Sequence, residues 1–124
     1  MSEEVILLTV LVAENFEPYR ESLVALLRLE EVNVLEAANP QEALQFLEDV
    51  HIDLVVTDLR LTDDSDKKDA SGLEVYRTAD EKCIPAILVS SSSVELSGIC
   101  FVNKSLGWKA LWKKIQELTS PIAE

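Results

Sequence analysis

Four polar side chains stand at the ends of four separate apolar runs in this chain. Glu14 follows Val10-Leu11-Val12-Ala13, Asp58 closes Ile52-Asp53-Leu54-Val55-Val56-Thr57, Ser90 follows Ile84-Pro85-Ala86-Ile87-Leu88-Val89, and Lys104 follows Ile99-Cys100-Phe101-Val102-Asn103. Two carboxylates, a hydroxyl and an ammonium converging at one rim have the parts needed to hold a divalent cation and a phosphoryl group. A carboxylate can accept that group covalently when a metal and a cation offset the charge on the transferring oxygens, and Asp58 would be the nucleophile. Other chemistries find less support. His51 is the only histidine and precedes the third run, at the edge opposite the rim, which argues against Ser-His-Asp or Cys-His catalysis and against a histidine zinc site. The carboxylates of Asp63, Asp64, Asp66 and Asp69 lack the Gly and terminal Glu of a calcium loop, so a solvated loop is expected. Ser90 to Ser93 could cradle a cofactor phosphate, as in flavin sites, but Glu14 and Glu17 would set carboxylates beside it, and neither GxGxxG nor a Walker motif occurs.

These residues need a scaffold, and the chain supplies one in alternation. Val5 to Ala13 is β-branched and apolar, as for a strand covered on both faces. A helix from about Pro18 carries Tyr19, Leu23, Leu26 and Leu27 at helical spacing. Val32 to Ala37 is a second strand, and Asn39-Pro40-Gln41-Glu42 reads as a cap, a first-turn Pro and an N3 Glu opening a second helix. Ile52 to Asp58 is the third strand, Thr62 to Ala70 a loop, and Ser71-Gly72-Leu73-Glu74 a capping box that opens a third helix to about Glu81. Ile84 to Val89 is the fourth strand and Ile99 to Asn103 the fifth. Between them, Val94 to Gly98 is too short for a crossover helix. A last helix from about Leu106 places Trp108, Leu111, Trp112, Ile115 and Leu118 on one broad face. Alternation of this kind implies right-handed βαβ units and a parallel sheet between helices, with ligands beyond the carboxyl ends of the strands.

The chain has 124 residues, enough for one core, and reads as a single domain over residues 1–124. Acidic residues number 23 against 11 Lys and Arg, and the net charge of −12 opposes binding to nucleic acid or to an anionic membrane surface. No run approaches a membrane span, and Glu3 and Glu4 precede the first apolar run where a secretory signal would be basic, so the cytoplasm is the expected compartment. Cys83 and Cys100 fit no metal or redox spacing and are expected to be buried free thiols.

With the strand ends in view, the chain resembles the receiver domain of bacterial response regulators over essentially its whole length. Val10-Leu11-Val12-Ala13-Glu14-Asn15 resembles that family's first strand and acidic pair, and Asp53-Leu54-Val55-Val56-Thr57-Asp58 its phosphoacceptor strand. Gly72-Leu73-Glu74 resembles the start of its third helix, Ile84 to Ser90 its fourth strand with the terminal hydroxyl, and Phe101-Val102-Asn103-Lys104 the aromatic and Lys of its fifth. The resemblance implies a flavodoxin-like (CheY-like), doubly wound, five-stranded parallel sheet in the order 2-1-3-4-5, here with the fourth helix shortened or missing. It implies a non-enzymatic signalling module of two-component systems. Asp58 would take a phosphoryl group from a histidine kinase or phosphotransfer protein. Glu14, Asp58 and the backbone carbonyl of Arg60 would hold Mg2+. Ser90 would hydrogen-bond the phosphoryl group, Lys104 would neutralise it, and Phe101 would change rotamer as the hydroxyl moves, switching a downstream protein partner.

The departures from the pattern carry expectations of their own. Ala13 stands where the family usually has its first acidic residue, which weakens Mg2+ binding, and Glu14 is a methylene longer than the common Asp. Ser105 replaces the Pro that normally follows the Lys, removing the main cause of a cis peptide there. Without the fourth helix, a sheet face would lie open unless Trp108 and Trp112 fold across it or a second copy covers it as a homodimer. The alternative reading is a phosphorylation-independent pseudo-receiver, an interaction or dimerisation module in which a Lys104 or Arg60 ion pair with Asp58 occupies the metal position.

Overall fold

The structure, a computed structural model, describes residues 7–63, 66, 68–92 and 96–119. Val5 and Ile6 of the expected first strand, Asp64 of the expected loop, and Ser93 and Val94 lie outside the described residues. The elements run β1 (Thr9–Ala13), α1 (Glu17–Leu29), β2 (Asn33–Ala37), α2 (Pro40–Asp49), β3 (Leu54–Asp58), α3 (Ser71–Glu81), β4 (Ala86–Ser90), β5 (Phe101–Asn103), a 3-10 turn over Lys104–Leu106, and α4 (Gly107–Thr119). All strand pairs are parallel and the sheet order is β2-β1-β3-β4-β5, as the resemblance implies. No described residue between β4 and β5 is helical.

Strand periodicity divides the core in two. Val10, Val12, Leu54, Val56, Ile87, Val89 and Val102 face α1 and α4, where they meet Leu23, Leu27, Leu111 and Ile115. Leu11, Ala13, Val55 and Leu88 face the other way, against Ala43 and Leu47 of α2 and Val75, Tyr76 and Ala79 of α3. Both faces of β3 and β4 are covered, which is why those strands read as unbroken apolar runs.

Several sequence expectations are corrected. Ser71 does not cap α3: Ala70 is the N-cap, with no side-chain bond. Asp69 takes the amide of Ser71 at 2.9 Å and those of Thr62 and Asp63 at 2.9 and 2.6 Å, bonds that lie exposed at the surface as a solvated loop would place them. The Ser71 hydroxyl instead accepts the Leu61 amide at 3.0 Å. Asn39 does cap α2, accepting the Glu42 amide at 2.9 Å. β5 is shorter than Ile99 to Asn103 because the Cys100 amide turns aside to donate to the Tyr76 hydroxyl at 2.8 Å, although the Cys100 carbonyl still accepts from Leu88 at 2.8 Å. Neither thiol is fully buried: Cys83 is exposed in the turn after α3, at φ 61°, and Cys100 is half-buried. Trp108 and Trp112 stack on one another at 5.5 Å and pack on the α1 side, not across the face that lacks a helix. Tyr76 packs there instead, in one cluster with Leu88 and Phe101. The Lys104–Ser105 peptide is trans.

Candidate functional site

Period-two geometry explains why distant residues meet at the rim. Glu14 lies two residues past Val12, Asp58 two past Val56, and Lys104 two past Val102, three valines of the α1-facing cluster. Parallel pairing in near register brings these strand ends to one level. Lys104 Nζ stands 2.8 Å from Glu14 Oε1 and 3.4 Å from Asp58 Oδ1. Ser90 continues the opposite row, two past Leu88, and both rows open into a cavity of about 250 Å³ lined by Phe16, Asp58, Arg60, Ser90, Ser91 and Lys104. The Ser90 hydroxyl accepts the Ser92 amide at 3.1 Å, which holds the first residues after β4 over the cavity.

The neighbouring elements hold this arrangement in place. Arg20 of α1 donates to the Glu14 carbonyl at 2.8 Å and to Glu36 of β2 at 3.3 Å. Glu14 Oε2 takes the Phe16 amide at 3.1 Å, so both carboxylate oxygens have partners. On the other side, the Gly72 amide donates to the Leu59 carbonyl at 2.8 Å. A Cβ on Gly72 would overlap the Asp58 carbonyl oxygen, so only glycine lets α3 begin against the end of β3.

Burial makes the charges unequal. Glu14 is 1% exposed and Asp58 4%. Burial, followed by repulsion from Glu14, pushes the Asp58 carboxyl up to about 7, and the Lys104 charge only partly offsets this. Burial acts to lower the Lys104 pKa, but its hydrogen bond to Glu14 and the two carboxylate charges outweigh that and hold it above the usual lysine value. The two carboxylates share this desolvated rim with the Lys104 ammonium, and Arg60 lines the same cavity.

Ala13, at the end of β1, is 1% exposed in the cluster with Leu11, Ala37 and Val55 and brings no carboxylate to the rim. The rim positions after β1 are Glu14 and Asn15. Asn15 Oδ1 is buried and has no hydrogen-bond partner among the described residues. The carboxylates of Glu14 and Asp58 are hard oxygen donors of the kind Mg2+ takes. No group of three or more His, Cys, Asp or Glu among the described residues could hold a metal by itself, so backbone or water oxygens would complete the shell.

Phe101 is half-buried on β5, in the cluster on the Ser90 side of the sheet. His51 is exposed and pairs with Asp53 at 2.9 Å, away from the rim. Sequence reasoning did not find Tyr19, whose ring lies 4.3 Å under the Lys104 ammonium; its helical spacing marked it only as a core residue. It also gave no role to Asn15 or to the close approach at Gly72. For Gly72, a glycine at the start of a helical pattern was the available cue.

Comparisons with known proteins bear on the fold and the family. No curated protein matches the chain significantly. Among solved structures, the chain is similar to the response regulator TrrA of Thermotoga maritima, solved in complex with Mg2+-BeF, with 27% identity, a TM-score of 0.75, and 90% of this chain and 99% of that one covered. A CheY-like receiver domain protein from Methanospirillum hungatei (21% identity, TM-score 0.76, 90% and 93% covered) and a receiver protein from Sinorhizobium medicae (20%, 0.77, 91% and 94%) share the fold. The family model for the response regulator receiver domain matches residues 10–116, and the chain belongs to that family.

Proposed function

We propose that Asp58 accepts a phosphoryl group from the phosphohistidine of a histidine kinase or phosphotransfer protein, and that the phosphorylated domain changes its affinity for a downstream protein. An Asp58 carboxylate oxygen attacks phosphorus, the bond from phosphorus to the imidazole nitrogen breaks, and the freed imidazole is left neutral or takes a proton from solvent. Glu14, Asp58, Asn15 and the Arg60 carbonyl would hold Mg2+, which when bound supplies charge compensation for the transferring oxygens. Lys104 neutralises the product, and Ser90 donates its hydroxyl to a phosphoryl oxygen. Phe101, on the same face as Ser90, repacks as that hydroxyl moves. The observation that carries this reading is Asp58 itself: a buried carboxylate, 3.4 Å from a lysine ammonium, opening into a cavity it shares with Ser90. A Mg2+-BeF complex of the Thermotoga maritima relative lends further support.

The pseudo-receiver reading rests on the short Lys104–Glu14 pair at 2.8 Å and on the raised Asp58 carboxyl, which without a dication is half-protonated near neutral pH. Incubation with a small phosphodonor and Mg2+, followed by intact-mass measurement, separates the two. Added phosphoryl mass on wild type and none on Asp58→Asn supports phosphoryl transfer; none on either supports the constitutive module.

A further inference from the structure

We propose that the aromatic ring of Tyr19 is the positioning group that holds the Lys104 ammonium against the Glu14 and Asp58 carboxylates; its consequence for phosphoryl transfer rests on the reading of Asp58 above. Lys104 Nζ lies 4.3 Å from the centre of the ring, well within cation–π range. Burial raises the Tyr19 phenol above its ordinary value, so the ring stays neutral and its face electron-rich. Tyr19 sits in the first turns of α1, anchored by Leu23 and Leu27 in the core one and two turns on.

What the ring prevents is visible on its other side. Tyr19 and Lys104 together line a second cavity of about 120 Å³ between α1 and α4, whose walls include Leu23, Leu26, Trp108 and Leu111. Lys104 therefore borders two spaces, the phosphoacceptor cavity and this apolar one. Its four-carbon stem leaves the end of a three-residue strand and is intrinsically flexible. With the ring in place, the ammonium has one stable position, capped by an aromatic face and aimed at two carboxylates. Without it the two spaces merge, and the stem can swing toward α4.

The test compares Tyr19→Leu with Tyr19→Phe, and with trifluorophenylalanine placed at position 19, which keeps the ring's shape while draining its negative face. The first readout is the rate of acetylation of Lys104 by an amine reagent, measured by mass spectrometry relative to exposed Lys109 in the same molecule. Tyr19→Phe is expected to match wild type, whereas Tyr19→Leu and the fluorinated ring raise Lys104 reactivity severalfold. The second readout is phosphoryl uptake from a small phosphodonor at saturating Mg2+, expected to fall about five- to tenfold for Tyr19→Leu. Unchanged Lys104 reactivity in Tyr19→Leu and in the fluorinated protein overturns the proposal, as does a Tyr19→Phe protein as reactive as Tyr19→Leu. Should Tyr19→Leu fail to fold, the fluorinated protein decides alone. A wild type that takes up no phosphoryl group overturns the reading of Asp58 and leaves the reactivity comparison to decide the role of Tyr19.

Discussion

At the scale of single residues, the site is governed by a carboxylate that is costly to ionise. The folded-state value of Asp58, about 7, lies above its ordinary 3.8. Between those limits the folded chain keeps a proton that the unfolded chain has released, so this group's contribution to stability is full below about pH 4 and is lost as pH rises through 7. Asp58→Asn is therefore expected to gain stability relative to wild type as pH rises from about 4 to 8, by up to about 4 kcal/mol, in urea unfolding. A pH-independent gap would contradict the assignment. Mg2+ must displace the same proton, so its dissociation constant should fall about fivefold from pH 6 to 7 and about twofold more to pH 8, measured by calorimetry. Asn15→Asp should tighten Mg2+ binding at pH 8 by roughly tenfold, since it adds a carboxylate next to Glu14 at the end of β1. Asp58, Ser90 and Lys104 were legible in the sequence because each directly follows a run apolar enough to be a buried strand.

At the scale of elements, close backbone approaches and one diverted hydrogen bond decide the geometry. Gly72→Ala would drive a methyl group into the Asp58 carbonyl, and a cost of about 2 kcal/mol is expected in chemical unfolding, together with slower phosphoryl uptake as the end of β3 shifts. Tyr76→Phe would leave the Cys100 amide without its acceptor, and a loss of about 1–2 kcal/mol is expected in the same measurement. An unchanged midpoint for Tyr76→Phe would show that solvent replaces the bond and that Tyr76 does not close the helix-free face. Helix and strand order was readable throughout, from periodicity and from caps such as Asn39. The ends were less readable where side chains compete for the same amides: Asp69 takes the Ser71 amide that Glu74 would accept in a capping box, and Tyr76 takes the Cys100 amide that a longer β5 would use.

At the scale of the whole molecule, a strongly acidic chain concentrates two of its carboxylates and one lysine at a single rim of a parallel sheet. Receiver-family membership was legible because the strand-end residues appear in the family's order. What the sequence could not show was how Lys104 divides itself, 2.8 Å from Glu14 and 3.4 Å from Asp58, since that depends on α1, the rim loops and the Tyr19 ring acting together. The most direct test is intact-mass measurement of wild type and Asp58→Asn after exposure to a small phosphodonor, with and without Mg2+. The account predicts one added phosphoryl group on wild type only, dependent on Mg2+; no addition to wild type, or equal addition to Asp58→Asn, would contradict it.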